Sequence, residues 1–313
     1  MRSVSHLLDT PALLLGRESV RDPYRKMSTG SDQAQRRSLS EKRGIVMSMG
    51  ALVKTFVCGL VAVLVAVVKV AAQTPAPDPR AGMPERPSVA THAGTVAAGF
   101  VEIEAGVEID RYDDASNGGL VPAVIKIGLA SHLQLTVQTP LVRPSGAGIG
   151  VGDVSVGIKW RVVDDTPLFG DLAALPAVKF PSGSATTGTG TGTTDVGLLL
   201  ISSKQWGEIS LDLNVGFTRR SGDGGNAPRN ASLWAASLGG PVAGRVGWGA
   251  EVYGYPATSG PAGSEAIVAV LLGPTFELRN SLVLDLGLIA PLSGPQPRAV
   301  FAGFTYNVGS IKR

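Results

Sequence analysis

Carboxylates on alternate residues are the first groups in this sequence whose type and spacing could do chemistry. Glu102, Glu104, Glu108 and Asp110 share one face if the segment is extended, because successive side chains of a strand point to opposite faces. Same-face neighbours two residues apart lie about 7 Å apart. In a confined space these carboxylates would repel one another and need cations to offset the repulsion. The spacing therefore indicates either ion pairing or an electrostatic lining that selects solutes.

Cations and further acids occupy equivalent positions on other predicted strands. The candidate lumen-lining groups are Glu102, Glu104, Glu108, Asp110, Lys126, Lys159, Arg161, Asp212, Arg245 and Glu251. Lys159, Arg161 or Arg245 could offset the acidic face by pairing across the interior. Because an unpaired buried charge is costly, pairing that fills a narrow lumen is the leading interpretation. Selection of solutes by the charged lining is the alternative.

Other kinds of chemistry lack the residues that they need. The chain has three His and one Cys, too few for a zinc site or a disulfide framework, so no metal and no cofactor is predicted. A hydrolase needs Ser, His and an orienting partner together, but His92 lies in a proline-rich stretch and His132 in a tight turn. The Gly-Thr repeat at 187–194 has no lysine to complete a phosphate-binding loop and predicts a flexible surface loop. No catalytic residue is expected, and the protein is not predicted to be an enzyme.

The elements that carry these side chains are predicted to be β-strands, because apolar and polar residues alternate along them. The clearest segments lie near 101–110, 121–129, 133–138, 154–162, 209–217, 246–253 and 282–290. Most run for about ten residues, the length that a tilted strand needs to cross a bilayer. Further runs begin near 172, 196, 233, 268 and 300. The total of about twelve is even, as closure of a bacterial barrel usually requires, and closure removes exposed strand edges.

Loop lengths favour a membrane barrel over a secreted β-sandwich, which would show the same alternation. Tight turns at 130–132 and 164–167 contrast with longer Gly-, Ser- and Thr-rich connections at 181–194, 219–230 and 256–264. Short turns at one end and long loops at the other are typical of outer-membrane barrels. With 17% charged residues and 41 Gly, the composition disfavours coiled coil, disorder and collagen. The sequence predicts an all-β fold, a transmembrane antiparallel up-and-down β-barrel of about 12 strands.

The chain before the barrel is predicted to divide into three segments. Residues 1–46 are basic and lack an apolar period, and we expect them to be a non-mature or mis-assigned N-terminal extension. Residues 47–72 have the positive start, apolar stretch and small-residue end of a signal peptide, with a retained anchor as the alternative. Residues 73–95 are rich in proline and predict a solvated linker, with a proline-rich binding site as the alternative. Residues 96–313 then form the outer-membrane β-barrel.

Net charge excludes nucleic acid as a partner once the signal peptide is removed. The whole chain has a net charge of +3. Cleavage after residue 72 leaves seventeen Lys and Arg against twenty Asp and Glu, a net charge of −3. The single Cys58 lies within the predicted signal peptide, so the exported chain has no cysteine for disulfides. The protein is therefore predicted to lie in the outer membrane after export, without nucleic acid.

Several short motifs share a pattern with one known family. They are Gly152-Asp153 at the start of a strand, KFPSG at 179–183, the Gly-Thr-rich stretch running into TDVG at 187–197, and LDLGL at 284–288. Together with the acidic first strand, these motifs resemble the outer-membrane transporter family named after the MetA-pathway of phenol degradation. The resemblance covers about 99–309. It implies an outer-membrane barrel associated with the uptake of hydrocarbons or aromatic compounds.

The leading functional hypothesis is an outer-membrane β-barrel channel or transporter for small solutes, hydrophobic or aromatic ones included. The alternative is a non-transporting structural barrel with a charge-filled lumen. About twelve strands lie between small filled barrels and the open porins, so the strand count leaves both hypotheses open. The expected partners are the lipid bilayer of the outer membrane, small solutes, and the barrel-assembly machinery during biogenesis.

Overall fold

Antiparallel β-strands account for all the regular structure in the described part of the chain. The computed structural model describes residues 78–86, 88–113, 116–221, 229–257 and 265–311. Within these ranges the strands are β1 (Phe100–Arg111), β2 (Asn117–Val121), β3 (Ala123–Ala130), β4 (Leu133–Gln138), β5 (Leu141–Arg143), β6 (Gly150–Val151), β7 (Val154–Thr166), β8 (Gly170–Phe180), β9 (Asp195–Trp206), β10 (Ile209–Arg220), β11 (Asn230–Ala243), β12 (Val246–Tyr255), β13 (Ile267–Arg279), β14 (Leu282–Ser293) and β15 (Arg298–Ser310). Among these residues no helix is long and apolar enough to cross a membrane. The predicted extension, signal peptide and start of the linker lie outside the described residues.

The strands form a closed barrel in which each neighbour in sequence is a neighbour in space. β15 pairs with β1 along its whole length, from Phe100 opposite Ser310 to Arg111 opposite Arg298, and this pairing closes the sheet. Three of the barrel's strands are interrupted: β2 continues as β3, β4 as β5, and β6 as β7. Counting each interrupted strand once gives twelve, which confirms the predicted all-β, antiparallel, up-and-down barrel.

The side chains on the outer face of the barrel wall are mostly apolar, whereas many of those on the inner face are polar. On β10, Val215 is 60% exposed and the neighbouring Phe217 is also exposed, whereas Asn214 is 2% exposed and Thr218 is buried. The same alternation of outward apolar and inward polar side chains runs along β1, where Ile109 points outward between buried carboxylates. Apolar side chains therefore cover the outer surface, as a barrel in a hydrocarbon layer needs.

The two ends of the barrel differ in their connections. At the short-turn end, β9 joins β10 through Gly207 and Glu208, and β11 joins β12 through Gly244 and Arg245. Gly207 and Gly244 have φ of 59° and 57°, the left-handed conformation that tight hairpin turns need and that glycine adopts without strain. At the opposite, long-loop end, residues 181–194 connect β8 to β9.

Residues 78–86 and 88–99, which we call the plug, fold into the barrel ahead of β1. Ala90, Ala93 and Val96 are buried, and their N–H groups donate to side chains of the inner wall. The prediction of a solvated linker is therefore wrong for the described part of this segment. The physical reason is that a proline-containing chain without ladder partners still needs acceptors for its N–H groups, and polar side chains inside the barrel supply them.

Candidate functional site

Both ends of the plug lie at the short-turn end of the barrel. On the way in, the Gly82 N–H donates to the Asn280 carbonyl at 2.7 Å, and Asn307 Nδ2 donates to two plug carbonyls at 3.1 Å. On the way out, Thr95 Oγ1 donates to the Ser131 carbonyl at 3.1 Å, in the turn between β3 and β4. The plug therefore enters the lumen, turns back within it and returns to begin β1.

The turn of the plug is held by two side chains of the wall. Glu251 on β12 accepts the N–H of Val89, at 2.9 and 2.8 Å for its two oxygens, and that of Ala90 at 3.2 Å. Asn214 on β10 accepts the Thr91 N–H and donates to the Thr91 carbonyl, each at 2.9 Å. We call residues 88–91 the plug tip. Its backbone has no ladder and depends on these two side chains.

The returning part of the plug is held in the same way by the next strands around the wall. Ser203 Oγ on β9 accepts the Ala93 N–H at 2.7 Å. Gln134 Oε1 on β4 accepts the Val96 N–H at 2.8 Å. Single polar residues on inward positions of separate strands thus satisfy the plug backbone, as a buried backbone requires.

Buried charges join the rising part of the plug to one side of the barrel, the charged wall, formed by Glu102 and Glu104 on β1, Lys126 on β3 and Lys159 on β7. Lys126 Nζ lies 2.8 Å from Glu104 Oε1 and also pairs with Glu102. Lys159 pairs with Glu85 of the plug. Neither lysine side chain is exposed to solvent. Opposite charges therefore meet in the lumen, where an unpaired charge would be expensive.

The charged wall also bonds to the plug backbone. Glu102 accepts the Met83 N–H at 2.7 Å and Glu104 accepts the Glu85 N–H at 2.8 Å. Lys126 Nζ donates to the Met83 carbonyl at 2.8 Å. Lys159 Nζ donates to Thr91 Oγ1 at 3.0 Å, to the His92 carbonyl at 2.9 Å and to the Gly94 carbonyl at 3.3 Å. Each of these four charged side chains thus contacts both an oppositely charged side chain and the backbone of the plug.

Two titratable groups of the plug have shifted pKa values. Burial alone would raise the pKa of Glu85, but the ammonium groups of Lys126 and Lys159 lower it below its ordinary value. Burial and the nearby Lys159 lower the pKa of His92 to about 3. The docked plug therefore carries an ionised Glu85 and a neutral His92.

The acidic face of β1 finds a different partner from those expected. Lys126 is the direct cross-strand neighbour of Glu102 in the β1–β3 register, so adjacent strands bring the pair together without crossing the interior. Lys159 pairs with Glu85 of the plug, and the Glu85 N–H in turn bonds to Glu104 on β1. Arg161 pairs with Asp164 at 2.9 Å near the rim. Arg245 is exposed in the turn between β11 and β12 and donates to the Leu278 carbonyl on β13. Arg161 and Arg245 were the wrong partners for the acidic face.

The other predicted lining residues lie elsewhere on the inner face. Glu108 and Asp110 are buried toward the long-loop end of β1, opposite Phe301 and Ala299 of β15. Asp212 on β10 is partly buried and accepts a hydrogen bond from Ser203 Oγ. The structure thus brings Glu102, Glu104, Lys126 and Lys159 together around the plug, and spreads the others along the lumen and its rim.

An inward apolar surface was not anticipated from the sequence. It consists of Leu233, Ala235, Tyr253, Ala269, Leu271, Ile289, Ala299 and Phe301, on β11 to β15, and we call it the apolar wall. All of these side chains are buried, and they pack with Val89 and Ala90 of the plug tip. The sequence did contain an indication of this surface. Residues 267–272 are apolar on both faces of the strand, whereas a strand between lipid and a polar lumen is apolar on one face only.

Two cavities flank the plug. One of about 60 Å³ lies between residues 85–91 and the inner faces of β3, β4, β7 and β8. A larger one of about 430 Å³, the vestibule, lies at the short-turn end between the plug and β10 to β14, and includes Ser88, Ala250 and Leu271 in its lining. Leu271 also belongs to the apolar wall. The plug tip therefore lies where the vestibule meets the apolar wall.

The Gly-Thr-rich loop between β8 and β9 folds inward, so the prediction of a flexible surface loop is wrong for residues 188–193. Thr191 donates to Asp153 Oδ2 from its N–H at 2.9 Å and from its hydroxyl at 2.8 Å. The Gly183 N–H donates to Asp153 Oδ1 at 3.0 Å, and Lys179 Nζ lies 2.7 Å from Asp153 Oδ2. A Cβ on Gly190 would lie 2.4 Å from Asp153 Oδ1. Three of the motifs that carried the family resemblance, at 152–153, 179–183 and 187–197, thus meet around Asp153. Within the described residues no group of three or more His, Cys, Asp or Glu is placed to hold a metal.

Comparisons with known proteins agree with this fold. An outer-membrane channel from Pseudomonas putida F1 has a similar structure, with a TM-score of 0.51 and 12% identity, and the match covers 69% of this chain and 97% of that one. The KdgM porin, in complex with disordered oligogalacturonate, gives a TM-score of 0.47 at 10% identity over 66% of this chain and 98% of that one. No curated protein matches the sequence. The fold is that of outer-membrane β-barrels.

The family match covers the plug from Glu85 as well as the barrel. The family described as MetA-pathway of phenol degradation matches residues 85–306, which is more than half of the chain. The matched range contains the charged wall, the apolar wall and the three motifs that meet around Asp153. The chain therefore belongs to the MetA-pathway of phenol degradation family.

Proposed function

We propose that the protein is an outer-membrane channel that admits small apolar solutes when the plug tip leaves the lumen. The apolar wall is the observation that carries this proposal. Water-filled porins have a polar interior, whereas here Leu233, Leu271 and Phe301 point inward. Such a surface gains about 25 cal/mol for each Å² of apolar area that a solute covers. An apolar solute therefore fits this lumen better than a sugar or an ion does.

The placement of the channel in the cell is part of the same proposal. The signal peptide at 47–72 directs export and is removed, and the barrel-assembly machinery inserts residues 96–313 into the outer membrane. The short turns then face the periplasm, as they do in barrels of this type. The plug, which enters at the short-turn end, is thus inserted from the periplasmic side. No cofactor and no nucleic acid takes part.

The ten predicted lining residues have unequal roles in this proposal. Glu102, Glu104, Lys126 and Lys159 anchor the rising part of the plug, because each contacts it directly. Glu251 holds the tip. The remaining groups line the lumen or its rim at a distance from the anchor. The main role of the ten charged residues is thus to pair with one another and with the plug, and the apolar wall chiefly selects the solute.

A structural barrel that never opens is the second candidate, and the charged wall favours it. The pairs of Lys126 with Glu102 and Glu104 fill one side of the lumen and hold the plug in place. The two candidates differ in whether the tip can leave. They are distinguished by uptake and by conductance.

Uptake of radiolabelled toluene by whole cells tests the channel directly. Cells that carry the protein in the outer membrane should take up toluene faster than cells that lack it. Leu271→Asn places a polar group in the apolar wall and should slow uptake, whereas Thr136→Asn, inside the barrel but on β4, should not. Resistance of the folded barrel to unfolding in detergent shows that the variants are assembled equally. Toluene uptake equal to that of cells without the protein would contradict the proposal.

A further inference from the structure

Three arginines lie on the outer face of the barrel at its long-loop end. Arg298 begins β15, Arg111 ends β1 and Arg143 ends β5. All three side chains are exposed. β15, β1, β2 and β5 follow one another around the barrel, so the arginines occupy one continuous part of its circumference. We call these three residues the arginine patch.

The register of the strands fixes how the arginines are spaced. Arg111 is the direct cross-strand partner of Arg298 on one side and of Asn117 on β2 on the other. Arg143 is opposite Gly119, two residues further along β2. From the usual strand spacing and rise, the Cα atoms of Arg111 and Arg298 are about 5 Å apart, and those of Arg111 and Arg143 about 12 Å apart. The long side chains of the patch can therefore contact one ligand together.

Two members of the patch are placed where their charges repel. Like charges directly opposite on neighbouring strands destabilise a sheet, and Arg111 faces Arg298 in this way. Among the described residues no member of the patch forms an ion pair, and the Arg111 guanidinium donates to Asn117 Oδ1 at 3.1 Å. Asp113, exposed in the loop after β1, pairs with none of the three. An anion from outside the chain would offset the repulsion.

The patch lies at the edge of the apolar band that faces lipid. Two residues from each arginine, toward the middle of the wall, is an exposed apolar side chain: Ile109 on β1, Val300 on β15 and Leu141 on β5. Two residues advance a strand by about 7 Å, so the guanidinium groups reach the level of the lipid headgroups. Position alone does not demand a cation there, because the outward residues at the same end of β8 and β9, Phe180 and Val196, are apolar.

Phosphate is the anion that this arrangement suits. A guanidinium group donates two parallel hydrogen bonds to phosphate oxygens, and basic clusters beside the apolar layer attract anionic headgroups. A free phosphate ion would contact the arginines alone. A phosphorylated lipid would contact them with its headgroup and cover Ile109, Val300 and Leu141 with its acyl chains, which the exposed apolar surface favours.

We propose that the arginine patch is a binding site for the phosphate groups of a phosphorylated lipid in the outer leaflet of the membrane. The headgroup binds across β15, β1 and β5, and the acyl chains lie along the same strands. The proposal requires the long loops to face the outside, as in the placement given above. It does not depend on what the channel carries.

Lipid A with two phosphates and a synthetic form of the same lipid without phosphates test the patch. Each is added to the folded protein in a neutral detergent, and bound lipid is measured by native mass spectrometry. The phosphorylated lipid should bind more tightly. Replacement of both opposed arginines, Arg111→Gln with Arg298→Gln, should weaken its binding about thirtyfold, because each cation near a lipid surface contributes about a factor of five.

Arg219→Gln provides the matched control. Arg219 is also an exposed arginine at the long-loop end, but it lies on β10, on the opposite side of the barrel, where it faces Asn230 and donates to its side chain. Binding of the phosphorylated lipid should be unchanged in this variant. Without lipid, the double variant should melt at the temperature of the parent protein or above it, since the opposed like charges are gone.

Four results would overturn the proposal. Equal binding of the two lipids would show that phosphate is not recognised, and an equal loss in the Arg219→Gln protein would show that the effect is not specific to the patch. A double variant that melts well below the parent without lipid would assign the arginines a structural role. Complete competition by inorganic phosphate at a concentration equal to that of the lipid would show a site for the free ion. None of these results bears on toluene uptake, so the channel proposal is tested separately.

Discussion

The charged wall and the apolar wall hold the same plug by different physical means. Lys126 and Lys159 bind the rising part through buried ion pairs, and Lys159 also donates hydrogen bonds to the tip and to the returning part. The tip is bound by side-chain packing against the apolar wall and by hydrogen bonds to the side chains of Glu251 and Asn214. Ionic contacts between buried groups are lost only at a high cost, whereas apolar packing can be replaced by any apolar molecule of suitable size.

The difference indicates which part of the plug can move. The base of the plug, at residues 78–86, is joined to the barrel by charge and should stay. The tip, at residues 88–91, is joined by contacts that a solute can imitate. Opening therefore requires only the tip to leave, and the charged wall keeps the plug from being lost to the surroundings.

Removal of a cation from the charged wall should give the largest effect on stability. Lys126→Met leaves Glu102, Glu104 and Glu85 without their shared partner inside the barrel. Loss of one member of a buried ion pair costs about 3–5 kcal/mol. The free energy of unfolding, measured by urea titration in lipid vesicles, should fall by that amount.

A matched lysine at the rim provides the control. Lys204→Met removes a cation whose partner, Asp165, is largely exposed, at 3.5 Å. Exposed pairs contribute about 0–1 kcal/mol, so the free energy of unfolding should hardly change. Equal losses for the two variants would show that the charged wall is no stronger than a surface pair.

Glu104→Gln should give the next largest effect. Glu104 accepts hydrogen bonds from Lys126, from the Glu85 N–H and from Thr305 Oγ1. The amide keeps one acceptor but loses the charge, so the free energy of unfolding should fall by about 1–3 kcal/mol. Unchanged melting together with altered cation-over-anion selectivity in bilayers would show that Glu104 selects solutes instead of pairing.

Glu251→Gln should affect stability less, because the amide oxygen can still accept an N–H of the tip. We expect a loss of about 1 kcal/mol or less in the free energy of unfolding. Its main effect should be more frequent channel openings in planar bilayers, since the tip is held more weakly. A loss as large as that of Lys126→Met would contradict the contrast between the two walls.

Acid should weaken plug docking modestly. The ordinary pKa of His92 is 6.5 and its docked pKa is about 3, so between these values the released plug binds a proton that the docked plug does not. The contribution of His92 to docking is therefore fully present above pH 6.5 and is lost as the pH falls toward 3. Glu85, with a docked pKa below 4.5, acts in the same direction below pH 4.5.

Channel openings at several pH values check this effect. Openings should be more frequent at pH 4 than at pH 7.5, and His92→Gln should remove the part of the change between pH 6.5 and 4.5. Openings that become rarer on acidification would contradict the neutral state of His92 in the docked plug.

The sequence predicts the barrel because its information is local. Alternation at period two identifies a strand such as β10, and it also assigns Val215 to lipid and Asn214 to the lumen. Pairing of consecutive strands then follows from the short turns. The cross-strand contact of Glu102 with Lys126 is harder to foresee, because it depends on the register between β1 and β3.

The plug could not be predicted from local patterns. Its residues have no period, and proline-rich composition is equally typical of solvated linkers. The groups that hold it are remote in the chain: Asn214 lies 123 residues from Thr91, and Glu251 lies 162 residues from Val89. Only the closed barrel brings them together. The apolar runs at both parities of β9 and β13 were the available hint of an interior that is not uniformly polar.

Single-channel recording with and without the plug tests the central claim, that this segment closes the lumen. The full chain and a variant that lacks residues 78–96 would be inserted into the same planar bilayer, after both are shown to be folded. We predict that the full chain gives rare, brief openings and that the shortened barrel gives long-lived conductance steps. Stable steps from the full chain, or a folded shortened barrel that does not conduct, would contradict the account.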